Sequence, residues 1–327
     1  MNFNILRAAR AVLHVTDLDA SREFYVKGLG FAVTESDSSH LYLRGLEEHC
    51  HHSLLLKKAQ QPFVEAISYK VSEDADLDKL QALFEQKGMK TKWLAEGEQH
   101  ALGRALRVQD SNGMPLEFYA KMDRAERLLQ RYDLYQGAKV QRIDHFNCMV
   151  TDVEKAYQFY IGELGFRCSE YTAAEDDRIW AAWLFRKPGV HDTAFMNGPG
   201  PRLHHVAFWL SDPMALIQGC DVLASLGYSA SIERGPGRHG LSNAFFLYLR
   251  DPDGHRIELY NGDYLTIDPD FEPIRWDIND KRRQTFWGAE APDCWFAEAS
   301  TVLDVHTGRP LQLGEPSLKQ HKPTFIT

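Results

Sequence analysis

Cysteine is scarce and unpatterned in these 327 residues: Cys50, Cys148, Cys168, Cys220 and Cys294 stand far apart, with no CxxC pair. That spacing gives neither a zinc ribbon nor a disulfide framework, and it suits reduced thiols in a cytoplasm. No apolar run approaches the ~20 residues that span a bilayer. The start, Met-Asn-Phe-Asn-Ile-Leu-Arg, lacks the apolar stretch of a signal peptide. Positive charge is also short: 37 Lys and Arg against 46 Asp and Glu leave a net charge of −9. That balance argues against a nucleic-acid or anionic-membrane partner. It does not exclude an anionic small molecule, because a few arginines can reverse the field inside a pocket. What remains, 44% hydrophobic and 25% charged, is ordinary soluble globular composition, with length enough for two domains.

The chain repeats itself. Thr16-Asp17 leads through an amphipathic stretch to Gly28-Leu29-Gly30-Phe31, and Thr151-Asp152 leads in the same way to Gly162-Glu163-Leu164-Gly165-Phe166, at an offset of 135. Each copy reads as a strand, a Thr-Asp helix cap, a helix and a closing glycine. The ends match as well, at an offset of 141: Arg107 to Tyr119 in one half, Tyr248 to Tyr260 in the other. A second helix is expected in each half, over 76–88 and 213–227. Internal repetition decides architecture before local detail, so each half is expected to hold two βαβββ-like modules. The expected division is a domain over 1–122, a linker over 123–139 that opens with a charged helix over 123–131, a second domain over 140–262, and an appendage over 263–327.

The closing hairpin of the second half poses a chemical question. Phe245 to Arg250 and Arg256 to Tyr260 read as strands around Asp251-Pro252-Asp253-Gly254, a strong turn signal. Glu258 sits among Ile257, Leu259 and Tyr260, where a carboxylate is costly unless it is paired or bound to a metal. His145 lies in the first strand of the same half, and His205 in the apolar stretch Leu203 to Trp209. Two imidazoles and one carboxylate can hold a divalent metal on one face and leave other positions open, as non-heme Fe(II) oxygen chemistry requires. Strand alternation places His204 and His205 on opposite faces, so only one of them is expected at the site. The first half has Arg10 in place of His145 and Glu117 in place of Glu258. A looser alignment sets Glu65 against His205. Arg10 is therefore expected to replace a metal's charge there, paired with Glu117 and with Glu65.

The module repeat, the closing Asp-Pro-Asp-Gly-His-x-Ile-Glu-Leu-Tyr and the His/His/Glu set together resemble the type I extradiol ring-cleaving dioxygenases of the vicinal oxygen chelate superfamily. The resemblance runs over nearly the whole chain, including Arg-Leu-His-His-Val-Ala-Phe-Trp and Gly-Pro-Gly-Arg-His-Gly. It implies an α+β vicinal oxygen chelate fold, four βαβββ modules paired into two half-open barrel domains, with a catalytic C-terminal one. It also implies Fe(II) or Mn(II) as cofactor, O2 as co-substrate, and a homotetramer. By the resemblance, His145, His205 and Glu258 bind the metal and His191 is the acid/base beside the O2 position, a role histidine's ordinary pKa suits. By the same resemblance Tyr248 and His239 are expected beside substrate oxygens; Asn147, two residues from His145 and so on its face, and Trp183 are expected to line the pocket.

A carboxylate on the catechol would need a cation, and arginine can grip one with two parallel hydrogen bonds. Arg234 and the pair Arg282–Arg283 are the candidates, and the sequence does not decide between the last two. Trp276, Phe286, Trp287 and Trp295 suggest that 263–300 folds back as a lid. The polar stretch 312–327 reads as a subunit-contact arm or a disordered tail. The rival readings are a dioxygenase for another catechol and a non-enzymatic binding protein of the same fold. Glyoxalases and epimerases of this fold usually take a fourth protein ligand and often build the site across two chains, whereas here three candidate ligands lie in one half, which favours the dioxygenase.

Overall fold

The structure, a computed structural model, describes residues 2–321. Its first half contributes β1 (Ile5–Val15), β2 (Ala32–Ser36), β3 (His40–Arg44), β4 (Leu54–Lys58), β5 (Val64–Val71), β6 (Thr91–Leu94), β7 (Ala105–Gln109) and β8 (Pro115–Tyr119). The second contributes β9 (Arg142–Val150), β10 (Arg167–Ala173), β11 (Ile179–Phe185), β12 (Thr193–Asn197), β13 (Arg202–Trp209), β14 (Ile232–Arg238), β15 (Phe245–Arg250) and β16 (Arg256–Asn261). The first sheet runs β2-β3-β4-β1-β5-β8-β7-β6 and the second β10-β11-β12-β9-β13-β16-β15-β14. The two orders are the same, strand for strand. The sequence repeat is thus a repeat of topology, and the fold is α+β of the vicinal oxygen chelate kind.

Helices α1 (Leu18–Arg22), α2 (Asp74–Gln86), α3 (Val153–Gly162) and α4 (Pro213–Ser225) cover the sheets. Asp17 and Asp152 supply the caps: Asp17 accepts from the N–H groups of Asp19 and Ala20, and Asp152 from that of Lys155. In α3 the buried residues Val153, Ala156, Phe159 and Tyr160 recur at helical spacing, so one face meets the core. One hydrophobic cluster runs through both halves. Phe31 meets Phe208 edge-on at 4.8 Å across the join.

The stretch after Met122 contains no α-helix. Its backbone pairs instead with 49–51: His51 donates to the carbonyl of Asp123 and Ala125 to that of His49, at 2.8 and 2.9 Å. The expected helical linker is therefore corrected to an extended one with a single 3-10 turn at Tyr132–Leu134. Of its few apolar side chains Leu128 is buried and Leu129 exposed, too little to form the stripe a helix would bury.

The appendage extends the second sheet. β17 (Ile274–Asp277) joins β10, β18 (Trp287–Gly288) joins β14, and β19 (Ser300–Thr301) joins β13; a short helix α5 (Asp293–Ala297) lies between the last two. Residues 312–321 are tied down as well, by Gly314 to Gly200, Ser317 to Thr151 and Asn197 to Leu318. This corrects the reading of 312–321 as a disordered tail; 322–327 lie outside the described residues.

Candidate metal centre and its cavity

Register brings the three candidate ligands together. His145 on β9 is paired with Ala207 on β13, and Ala207 with Glu258 on β16. His205 lies two residues before Ala207, on the same face. The Nε2 atoms of His145 and His205 stand 3.0 and 3.1 Å from Oε2 of Glu258. All three ligand atoms lie within 4.8 Å of one another, and all three residues are buried.

The surrounding hydrogen bonds decide which ring nitrogens face this point. Asp144 accepts from Nδ1 of His145 at 2.9 Å, and Lys187 supports Asp144 at 3.4 Å. Burial opposes the charge of Asp144, but Lys187 and His145 more than offset it and hold its carboxyl well below the usual range. Nδ1 of His205 lies 2.8 Å from Nδ1 of His204. With both Nδ1 atoms engaged, both Nε2 atoms turn toward the Glu258 carboxylate. The point of convergence is then lined by acceptors, which is where a cation belongs. This donor set, two imidazoles and one carboxylate, fits Fe(II) or Mn(II).

Burial also shapes the titration. It works against the charge of Glu258, yet the two imidazoles hold that carboxyl well below its usual range. Burial lowers His205 to about 4. For His145 the bonds to Asp144 and Glu258 outweigh burial and raise the pKa.

The cavity around the triad is lined by Asn147, Trp183, His191, His239, Tyr248 and Arg283, among others. The His191 ring lies 3.8 Å from that of His145. Burial, with His145 and Lys187 nearby, pushes its pKa well down. Tyr248 pairs directly with Glu258 across the hairpin. Nδ1 of His239 touches the carbonyl of Gln284, so it carries the proton, and Nε2 of His239 then accepts from the Tyr248 hydroxyl at 3.0 Å. Oδ1 of Asn147 is buried and finds no partner among the described residues.

The arginines separate. Arg283 is 1% exposed, lines the cavity, and leaves Nη2 unpartnered among the described residues. Burial lowers its pKa to about 10, so it stays charged at neutral pH. Gly240 makes this placement possible: a Cβ there would lie 2.5 Å from the carbonyl of Arg282, where the appendage crosses. Arg282 does not reach the cavity. It points to solvent and bonds Asp280 at 2.8 Å, because the turn at 280–283 turns neighbouring side chains to opposite sides. Arg234 is buried behind the wall, its guanidinium 4.7 Å from the Trp295 ring and 4.8 Å from Phe246.

Two expectations need correction. Of His204 and His205 only His205 lines the cavity, as expected, but the two rings do not fully diverge: the register is irregular between Leu203 and His205, and the ring centroids lie 5.0 Å apart. In the first half, Arg10 pairs with Ser68 and Ser68 with Glu117, so the position matching His205 is Ala66. Arg10 contacts Glu117, His52 and Gln99, whereas Glu65 pairs with Lys57, His14 and Arg107. The same register sets Arg107 where the second half has Tyr248, and His52 where it has His191. Two guanidiniums, one in the place of His145 and one in that of Tyr248, thus bond Glu117. Of the lid aromatics, Trp295 is buried and the Trp276 indole bonds Glu170 at 2.7 Å, but Phe286 and Trp287 are exposed. Sequence reasoning missed Asp144 and Gln284; the doubled histidine already marked His204 as a packing or hydrogen-bonding twin of the ligand, and it bonds His205.

Comparison with known proteins agrees with the fold. The Glyoxalase/Bleomycin resistance protein/Dioxygenase superfamily matches residues 142–259, and the catechol 2,3-dioxygenase-like N-terminal domain matches 64–123. A manganese-dependent 2,3-dihydroxybiphenyl 1,2-dioxygenase of Geobacillus genomosp. 3 is 30% identical over 88% of this chain and 95% of its own. The metapyrocatechase of Geobacillus stearothermophilus is 29% identical over 94% and 97%. Fold and site define a vicinal oxygen chelate protein with a metal-type triad, and the chain belongs to the extradiol ring-cleaving dioxygenases. Within that family it is most like homoprotocatechuate 2,3-dioxygenase. The Arthrobacter globiformis enzyme superposes with a TM-score of 0.92 at 46% identity, over 95% of this chain and 96% of its own. The Brevibacterium fuscum enzyme, solved with 3,4-dihydroxyphenylacetate, gives 0.92 at 44%, over 95% and 97%.

Proposed function

We propose that the protein opens the ring of 3,4-dihydroxyphenylacetate with O2, beside the two hydroxyls, to give 5-carboxymethyl-2-hydroxymuconate semialdehyde. The observation that carries the substrate is Arg283, a buried guanidinium in the cavity wall with a free N–H. A catechol without a carboxylate gives that cation nothing to bind. His145, His205 and Glu258 are the proposed ligands. Bound there, Fe(II) or Mn(II) would draw the catechol oxygens and O2 together and let electron density pass between them. His191, against the His145 ring, moves protons on the O2 side. Tyr248, already donating to His239, presents its oxygen to a substrate hydroxyl, and Asn147 and Trp183 complete the wall. Arg234 charges that wall from behind. Five unpaired cysteines suit a cytoplasmic enzyme, and the family resemblance supports a homotetramer.

The test is anaerobic reconstitution with Fe(II) or Mn(II), then catechol, then O2, followed by the yellow ring-opened product and matching O2 uptake. Turnover of 2,3-dihydroxybiphenyl or catechol with kcat/KM above that for 3,4-dihydroxyphenylacetate would overturn the substrate assignment. Arg283→Ala is expected to raise KM for 3,4-dihydroxyphenylacetate about 10- to 100-fold, the loss of one charged hydrogen bond, and to leave KM for 4-methylcatechol within about twofold. Equal effects on both would remove the carboxylate role. His191→Asn is expected to keep full metal content and substrate affinity while kcat falls about 10²- to 10⁴-fold, the usual contribution of a positioned acid/base. Parent-like turnover would end that assignment.

A further inference from the structure

His204 is fully buried and lies outside the cavity lining. Its Nε2 is 2.9 Å from the carbonyl oxygen of Trp295, in α5. A carbonyl only accepts, so Nε2 of His204 carries a hydrogen. The two ring nitrogens of this fully buried residue face a carbonyl and an imidazole, and the nearest charged group, Arg256, which bonds the His204 carbonyl at 3.2 Å, is itself a cation; a charged ring there would be buried without a counter-charge, so the ring is neutral and its Nδ1 is a bare acceptor. The Nδ1 of His205, 2.8 Å away, must therefore be the donor. A neutral His205 that donates from Nδ1 has its lone pair on Nε2, the atom that faces Glu258. We propose that His204 is a positioning residue: it passes the direction of the Trp295 carbonyl to His205 and holds that ring in the one tautomer able to bind a metal through Nε2. The proposal rests on His205 being a ligand. It adds that the appendage, through one backbone carbonyl, takes part in preparing the metal site.

The first half shows the opposite wiring. Glu35, His51 and His100 also bring ligand-type atoms within 4.8 Å of one another. There Nε of Arg10 donates to Nε2 of His52 at 2.9 Å, so His52 carries its hydrogen on Nδ1. That hydrogen points at Nδ1 of His51, 3.0 Å away. His51 then carries its own hydrogen on Nε2, turned toward Glu35 at 3.4 Å. A metal at that point would have to displace this proton or break the contact with His52. Two adjacent-histidine pairs of similar geometry thus present opposite faces: an N–H in the first half and a lone pair in the second. The starting group of each relay, an arginine donor or a carbonyl acceptor, makes the difference.

Nitrogen-15 NMR of the metal-free full-length protein reads the tautomers directly. The expected result is hydrogen on Nε2 of His204 and on Nδ1 of His205. Hydrogen on Nε2 of His205 would overturn the proposal without any variant. Mn(II) affinity, followed by the EPR signal of the free ion, gives the second reading. His204→Phe keeps the ring's bulk and removes both relay atoms; Kd for Mn(II) is expected to rise about 10- to 100-fold, the usual effect of losing such a partner. His204→Asn returns an acceptor beside Nδ1 of His205, and Kd is expected to recover to within a few-fold of the parent. A parent-like Kd in His204→Phe, or no recovery in His204→Asn, would refute the relay. His205→Ala separates the two ideas: if it binds Mn(II) like the parent, the ligand assignment itself fails, whereas a null His205→Ala beside a parent-like His204→Phe refutes the relay alone.

Discussion

Glu258→Ala is expected to yield a folded protein that holds less than about a tenth of the parent's Mn(II) or Fe(II) and has no measurable ring cleavage. Glu258 is the one carboxylate of the triad, whose three ligand atoms lie within 4.8 Å of one another. The ion's charge stabilisation of the reacting oxygens, worth several kcal/mol, leaves with it, and each 4 kcal/mol is about a thousandfold in rate. A thermal measurement reads the same loss without turnover. Mn(II) should raise the melting temperature of the parent, because it binds the folded state alone. It should leave that of Glu258→Ala unmoved. His145→Ala and His205→Ala should behave alike, and any of the three that keeps full metal content is not a ligand.

The sequence carried the repeat well, because helix caps, closing glycines and the Asp-Pro-Asp-Gly hairpin are local signals written at the same places twice. It carried the triad for a different reason: His145, His205 and Glu258 belong to separate strands, and only the repeat, with the family resemblance, put those strands side by side. The failures are failures of register. The offset between copies is 135 at His145 and 141 at Glu258, so some insertion lies between, and a one-residue error in placing it moved the partner of His205 from Ala66 to Glu65. In a strand such a slip exchanges the two faces of the sheet. The irregularity before His205 is of the same kind. Alternation predicts opposite faces for adjacent histidines, and nothing local announces that the ladder shifts there.

Arg282 and Arg283 could not be separated by composition, since adjacent arginines in an irregular segment have no period to tell them apart. Packing separates them, through Gly240 and the bond from Leu241 N–H to the Arg283 carbonyl at 2.8 Å. The expected helix in the linker does not form because the segment has no apolar stripe to bury. Asp144 was passed over because neighbours in a strand are expected to diverge, yet its carboxylate reaches the ring of His145.

The first half answers the question that Glu258 raises, and it does so as a matter of stability. Arg10→Met is expected to destabilise the protein by about 3 kcal/mol, the lower range for breaking a buried ion pair, with metal content unchanged. Glu117 is fully buried and receives Arg10, Arg107, Ser68 and Gln99. Burial alone would raise its pKa; Arg10 and Arg107 more than offset this and bring it down from 4.5 to about 2. A carboxyl lowered in this way stabilises the fold above its unfolded pKa, and the contribution disappears as pH falls through the folded one. The parent should therefore lose about 3 kcal/mol between about pH 4.5 and 2, at about 1.4 kcal/mol per unit. Arg10→Met should have spent part of that difference already, so its stability should fall less steeply over the same interval. Glu117→Gln should flatten the interval further, and Arg10→Met with Glu117→Gln should be more stable than Arg10→Met alone, because no uncompensated charge remains buried. Denaturant unfolding of the four proteins at pH 3 and pH 7 measures all of this. Equal slopes in parent and Arg10→Met would mean that Arg107 alone carries Glu117, and that Arg10 does not stand in for a metal.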